Sequence, residues 1–368
     1  MSQRIRGLDG LRAVAFVLVF VSHKVPTPVT DRLGSVAVWL FFVLSGFLIT
    51  RILAEQRKRI AAGIQTRTEA LSNFLLARAC RILPPYYALL AVLTLLAATG
   101  HFTLGPLSRQ LADWLFFTNL YFEHHGYWGY AGHFWSLAVE QQYYFLFAPA
   151  ALWVSASRLP MLCLALLMVS IAAHVILLER HAALISFDLN SFANFGLFGI
   201  GGIAGLFAAR PLPRWMLNEG TILAVGLLFA FLAALPVPQF SEYGRAGGVL
   251  AGILLVQLTQ RQTSTVVQAL ELGPVRRLGQ ISYGAYLFHP LIQSQELLAL
   301  VGIRDQVGAH WLVASDFFIT VVLAQASWII LEAPMIRFAR RHGRVGPAAE
   351  KNDRDIPQTK PQSIKLKV

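Results

Sequence analysis

The sequence predicts an all-α fold, a polytopic membrane helix bundle of about ten transmembrane helices with both termini cytoplasmic. Three observations carry that expectation. Of the 368 residues, 56% are hydrophobic and only 14% charged, with a mean hydropathy of +0.56. A soluble globular chain holds about 25% charged residues, so this one lacks the charge to coat a water-facing surface. Apolar runs recur along the chain, the shorter ones suiting helices shielded by neighbours in a bundle. The basic residues, finally, sit on alternate connections between those runs.

Taken in order, the expected spans are 11–24, 36–53, 83–98, 134–154, 159–178, 192–208, 222–235, 247–258, 282–301 and 311–331. Residues 107–121 are apolar enough to dip into the bilayer. They are expected as a re-entrant or interfacial helix, with an eleventh span as the rival. With the N-terminus inside, 25 of the 31 Lys and Arg residues fall on cytoplasmic segments. Lys24, Arg32, Arg109, Arg180, Arg245 and Arg304 are left outside. That asymmetry fits an even number of spans, because an odd number would throw the basic end of the chain outside. Arg4 and Arg6 before an apolar stretch look like the start of a signal peptide. No small-x-small cleavage site follows and Asp9 is out of place in one, so the first span reads as uncleaved. Residues 1–341 are expected as one transmembrane domain and 342–368, polar and proline-containing, as a disordered cytoplasmic tail.

The formal net charge of +12 follows membrane topology and does not form a nucleic-acid-binding patch. Cys80 and Cys163 make neither a disulfide framework nor a metal site.

Charge inside a bilayer is costly and persists where it works, so the ionisable residues within apolar sequence are the functional candidates. Arg12 and His23 bracket an almost wholly apolar run. Eleven steps of about 100° return to within about 20° of the starting face, over a rise of roughly 16 Å. Asp9, one turn before Arg12, joins the same stripe. A neutral imidazole can take a proton from a hydroxyl near pH 7.

Arg78 and Arg81 share a helical face and are expected at the cytoplasmic mouth of the third span. Two guanidinium forks at that spacing suit a ligand carrying several phosphates, although positive-inside anchoring would use the same residues. Ser136, Glu140 and Tyr144 step by four along one face, and Glu140 needs a partner so deep in an apolar helix. An arginine on another helix would serve as one.

Ser282 and His289 lie two turns apart on one face, and Pro290 removes a backbone donor beside them. Glu332, before Ala333 and Pro334, is expected to end the last span. Other motifs fail their context. Gly199-Ile-Gly201-Gly-Ile-Ala204 has no preceding strand, and Gly201-x-x-x-Gly205 reads as close helix packing. Glu123, His124, His125 and His133 fit no metal-ligand spacing, so no metal is expected. Ser45 lacks the strand–turn–helix setting of a nucleophile elbow.

Five blocks together resemble the acyltransferase-3 family of integral membrane O-acyltransferases. They are Arg6-Gly-Leu-Asp9-Gly-Leu-Arg12 with His23 eleven residues on; Trp39 to Ile49 around Ser45-Gly46; Arg78-x-x-Arg81-Ile-Leu-Pro84; Trp135-Ser136-Leu-Ala-Val-Glu140; and Ile281-Ser282-Tyr283 to His289. They stand in the family order at comparable spacing and cover about residues 4–341.

The resemblance implies a bacterial inner-membrane enzyme with no permanently bound cofactor. It would take acyl-CoA, by default acetyl-CoA, from the cytoplasm and transfer the acyl group to a hydroxyl of a cell-surface or secreted glycan or a glycosylated small molecule. Arg78 and Arg81 would lie near the nucleotide phosphates. Arg12 and His23 would line the reaction cavity, with His23 as general base and Arg12 holding the donor, orienting His23 or stabilising oxyanion charge. Asp9 joins them as a catalytic candidate, and Glu140, Ser136, Ser282 and His289 would bind acceptor or build the polar core. Some members append a periplasmic SGNH-type esterase domain. This sequence matches the stand-alone form, so either the bundle acts on the acceptor itself or a separate periplasmic transferase finishes the transfer. Its remaining partners would be membrane lipid and not nucleic acid. The rival function is a polar-solute transporter using the same path, which the absence of an inverted repeat disfavours.

Overall fold

In a computed structural model the described residues are 4–100, 103–126, 131–235, 242–294 and 308–343. All regular structure among them is helical. Of the expected tail, 342–368, His342 ends the last helix and residues from 344 onward lie outside the described residues.

The first two helices are set by their ends. Helix α1 (Leu8–Lys24) leads through a short turn to α2 (Pro28–Ala61), which begins on a capping box. Thr27 accepts from the Thr30 amide at 3.1 Å, Thr30 accepts from the Thr27 amide at 2.8 Å, and Pro28 occupies the first turn, where its missing N–H is harmless. Helix α3 (Arg67–Ala98) starts on a second box, Thr66 with Glu69. It starts 16 residues before the apolar run that predicted it. Arg78 and Arg81 therefore lie well inside the helix, because capping chemistry, invisible to hydropathy, sets the helix start. Pro84 and Pro85 sit within α3 and withdraw the amides that would pair the carbonyls of Cys80 and Arg81.

The segment expected as one re-entrant helix is two, α4 (Leu107–Trp114) and α5 (Thr118–His125). Phe116 breaks them with a left-handed φ of 58° while its ring lies on Tyr86, centroids 4.4 Å apart. Arg109, expected among the basic residues outside, is fully buried in α4 against Asp113 at 3.3 Å.

There follow α6 (Phe134–Trp153), α7 (Leu159–Glu179), the short α8 (Leu184–Leu189), α9 (Ser191–Phe207), α10 (Glu219–Ala234) and α11 (Glu242–Gln260). Two short helices, α12 (Thr265–Leu270) and α13 (Gly273–Gln280), precede α14 (Ser282–Phe288). The expected span 282–301 does not continue as one helix: α14 gives way to a 3-10 turn at His289–Leu291, where Pro290 cannot donate. Helix α15 (Ala309–Ser327) runs through a π turn (Trp328–Glu332) into α16 (Ala333–His342). Glu332 is thus buried inside a continuous helical segment and does not terminate it.

Among the described residues four helical segments are long and apolar enough to cross a membrane: Pro28–Ala61, Arg67–Ala98, Ala156–Glu179 and Ala309–His342. Their outer faces leave large apolar side chains uncovered, such as Met161, Leu178, Phe318 and Ile330, as a lipid-facing surface requires. The protein is a helical membrane protein.

Helix α2 is the hub, packed on α1 and α9. Close approach explains its glycines. A Cβ at Gly46 would stand 2.1 Å from the Phe198 carbonyl oxygen, and one at Gly201 the same distance from that of Val43. The small-residue face therefore seats α9 directly on the α2 backbone. Phe42 and Tyr143 close over Phe198 at 4.7 and 4.2 Å. This rigid centre fixes where the polar faces of α1, α3, α6 and α14 converge.

Candidate active site

Two adjoining chambers gather most of the candidate site residues. In the first, Arg12 of α1 meets Ser45 of α2, Arg78 and Arg81 of α3, Glu140 and Tyr144 of α6, and Ser282 and Tyr283 of α14. The Glu140 carboxylate accepts from the hydroxyls of Ser45 and Tyr144, the latter at 2.5 Å. Tyr283 donates to the Ile82 carbonyl at 2.9 Å, tying α14 to the arginine helix. The charged lining is three guanidiniums against one carboxylate. A cavity so composed attracts anions.

Arg12 also reaches a vestibule lined by Arg4, Asp9, Arg51, Glu55 and Lys58. Asp9 stays there. Its carboxylate pairs with Arg4 at 3.0 Å and lies 4.0 Å from Arg12, so it can orient Arg12 but does not line the arginine chamber.

The second chamber holds His23 and His133 with Asp31, Ser35, Trp135, Asp188 and Gln293. His23 is exposed into it, whereas His289 behind it is fully buried. Nδ1 of His23 lies 2.8 Å from Nε2 of His289. Their ring planes differ by 10° with centroids 5.0 Å apart. Parallel rings stacked face to face would keep all atoms beyond about 3.3 Å, so this is an in-plane, edge-to-edge hydrogen bond. Behind it, His289 Nδ1 lies 2.8 Å from the Tyr286 carbonyl oxygen, and His133 Nε2 lies 3.0 Å from that of Leu287. Next to His23, Lys24 pairs with Asp316 at 2.7 Å and donates to the Ile292 carbonyl. Asp316 in turn accepts from the Ser294 amide at 2.8 Å. The turn carrying His289 is thereby clamped to α1 and α15.

Val38 and Tyr286 line both chambers and form their common wall. Ser136 holds that wall, its hydroxyl 2.6 Å from the Tyr286 hydroxyl.

The expected site residues are thus divided. Arg12, Arg78, Arg81, Ser136, Glu140 and Ser282 share one chamber; His23 lies in the other with His289 behind it. The stripe on α1 does not open into a single cavity, because the rise that places Arg12 and His23 on one face also separates them along it, and Val38 and Tyr286 fill the gap. Ser282 and His289 part for the same reason: seven residues of helical rise set them about 10 Å apart along the axis. The partner of Glu140 is a serine and a tyrosine hydroxyl, with Arg78 facing them.

Ser45, dismissed for lacking a nucleophile elbow, is a chamber residue, and the signal for it was a hydroxyl within an apolar run. His133 leaves its acidic and histidine neighbours: Glu123 accepts instead from Asn190 at 3.1 Å.

The profile of the family described as "Acyltransferase domain" matches residues 5–332. Peptidoglycan O-acetyltransferase OatA of Listeria monocytogenes is 24% identical over 359 residues, covering 90% of this chain and 56% of that protein. Exopolysaccharide production protein ExoZ of Rhizobium meliloti is 27% identical, covering 86% of this chain and 96% of its own. Nodulation protein 10 of Rhizobium leguminosarum is 26% identical, covering 81% of each. The chain spans little more than half of OatA. No solved structure matches it. The arginine chamber, the histidine chamber and nearly all the helices that build them fall within the matched residues, and the chain belongs to the acyltransferase-3 family.

Proposed function

We propose that this protein is a membrane O-acyltransferase that moves an acyl group, acetyl by default, from cytoplasmic acyl-CoA to a hydroxyl of a cell-envelope glycan. The single observation that carries the reading is the shared wall. A cationic chamber suited to a phosphate-bearing donor abuts, across Val38 and Tyr286, a chamber whose exposed group is an imidazole. The names of the relatives, which speak of peptidoglycan and exopolysaccharide, support the acceptor class.

Arg78 and Arg81 hold the donor phosphates as bidentate forks, while Arg12, steadied by Asp9 from the vestibule, guides the thioester arm inward. His23 takes the acceptor hydroxyl's proton as its oxygen attacks the thioester carbonyl. The tetrahedral intermediate collapses, the carbon–sulfur bond breaks, and the CoA thiolate leaves and takes up a proton. An ester and free CoA result, with no oxidant or reductant needed. On this reading the vestibule lies on the cytoplasmic face of a bacterial inner membrane, with both termini inside and about ten spans, and the positive-inside distribution supports it. The histidine chamber then opens toward the outer face, where the transfer finishes.

The test is purified protein in nanodiscs with acetyl-labelled acetyl-CoA and envelope glycan. Label entering the glycan with release of free CoA thiol is the expected result. Solute uptake into proteoliposomes without CoA release would instead favour a transporter and overturn the reading.

A further inference from the structure

We propose that His289 is a positioning residue that fixes the tautomer of His23, leaving Nε2 of His23 as the proton-accepting atom that faces the chamber. This rests on the general-base reading of His23 and explains how that base is made ready.

The argument begins at Pro290. In a helix the amide of residue 290 would donate to the carbonyl of Tyr286, but proline has no N–H. The Tyr286 carbonyl is left needing a donor, and the His289 ring supplies one from Nδ1 at 2.8 Å. A carbonyl oxygen only accepts, so Nδ1 of His289 carries the hydrogen. His289 is fully buried, and no carboxylate is among its hydrogen-bond partners in the described residues, so the neutral ring is the form that costs least. Its Nε2 then bears a lone pair. That lone pair lies 2.8 Å from Nδ1 of His23, in the plane of both rings. His23 must therefore donate from Nδ1, which leaves Nε2 of His23 unprotonated.

The relay runs from carbonyl to His289 to His23, each step fixed by the one before. His133 repeats the device nearby by meeting the Leu287 carbonyl at 3.0 Å with Nε2, which keeps a second ring from competing for His289.

Two amide variants separate this role from a structural one. In His289→Gln the amide oxygen reaches the place of imidazole Nε2 and can accept from His23. In His289→Asn the shorter amide reaches only the place of Nδ1, where it satisfies Tyr286 but not His23. The expected result is kcat within about 5-fold of wild type for Gln and about 10- to 100-fold lower for Asn, with the KM for acyl-CoA unchanged in both. Equal activity in the two variants, or a better Asn variant, would overturn the proposal.

In His289→Glu a carboxylate beside His23 stabilises its imidazolium, so the acid limb of the kcat–pH profile should move up by about one unit or more. A stationary limb would count against the relay. Nitrogen chemical shifts of His23 in the wild-type protein need no variant: a lone-pair Nε2 is expected, and an Nε2–H tautomer would overturn the proposal. Full turnover in His23→Ala would instead sink the general-base reading while leaving that measured tautomer as it stands.

Discussion

The two chambers hold their polar groups in opposite ways. The arginine chamber presents long, flexible cations whose charge exceeds that of the one carboxylate among them, and its hydrogen bonds run mainly between side chains. The histidine chamber presents short rings held to backbone carbonyls near the proline-broken end of a helix, His133 directly and His23 through His289. Flexible charge suits grasping a donor whose phosphates can be met in several ways. Locked rings suit proton transfer, where which nitrogen bears the hydrogen decides whether the step occurs. In the proposed function one chamber binds and the other reacts. That division is what the following experiments try to break.

The largest effect is expected at His23. His23→Ala should lower kcat by at least about 100-fold, the usual scale of a general base, while titration with acyl-CoA shows unchanged binding. Weakened donor binding in this variant would erase the distinction between the chambers. Next comes the reverse case. Arg78→Ala combined with Arg81→Ala should weaken acyl-CoA binding by about 10- to 100-fold through the loss of charge-assisted hydrogen bonds, measured by calorimetry on the purified protein. An unaltered affinity would refute the phosphate role.

A smaller effect is expected at the wall. Ser136→Ala removes the hydroxyl partner of Tyr286 and should cost about 1 kcal/mol, read as a fall of a few degrees in Tm; an unchanged Tm would mean the 2.6 Å contact does not hold the wall. The mildest belongs to Pro290→Ala. The restored amide competes for the Tyr286 carbonyl and loosens His289, so kcat should drop by about 2- to 5-fold with donor binding untouched. A change in donor affinity instead would show that the turn serves both chambers.

The helical class and the candidate groups of α1, α3 and α6 were legible because hydropathy and helical spacing are local signals. Asp9, Arg12 and His23 do lie along one helix, and Gly201 does mark close packing. Helix starts were less legible: α3 begins at a capping box in polar sequence, well before the apolar run that marked it. The four long apolar segments follow from composition.

What the sequence by itself determined, then, was which side chains are too polar for their surroundings and how they repeat along each helix. Only the tertiary structure decided who meets whom. His23 and His289 are 266 residues apart and Ser45 and Glu140 are 95 apart, pairings that arise where packed helices cross. Periodicity gives a residue its face but not its neighbour across the gap. That neighbour depends on how α9 seats upon α2 and where Pro290 ends α14, and those crossings split one polar stripe into a chamber lined by guanidiniums and a chamber lined by imidazoles.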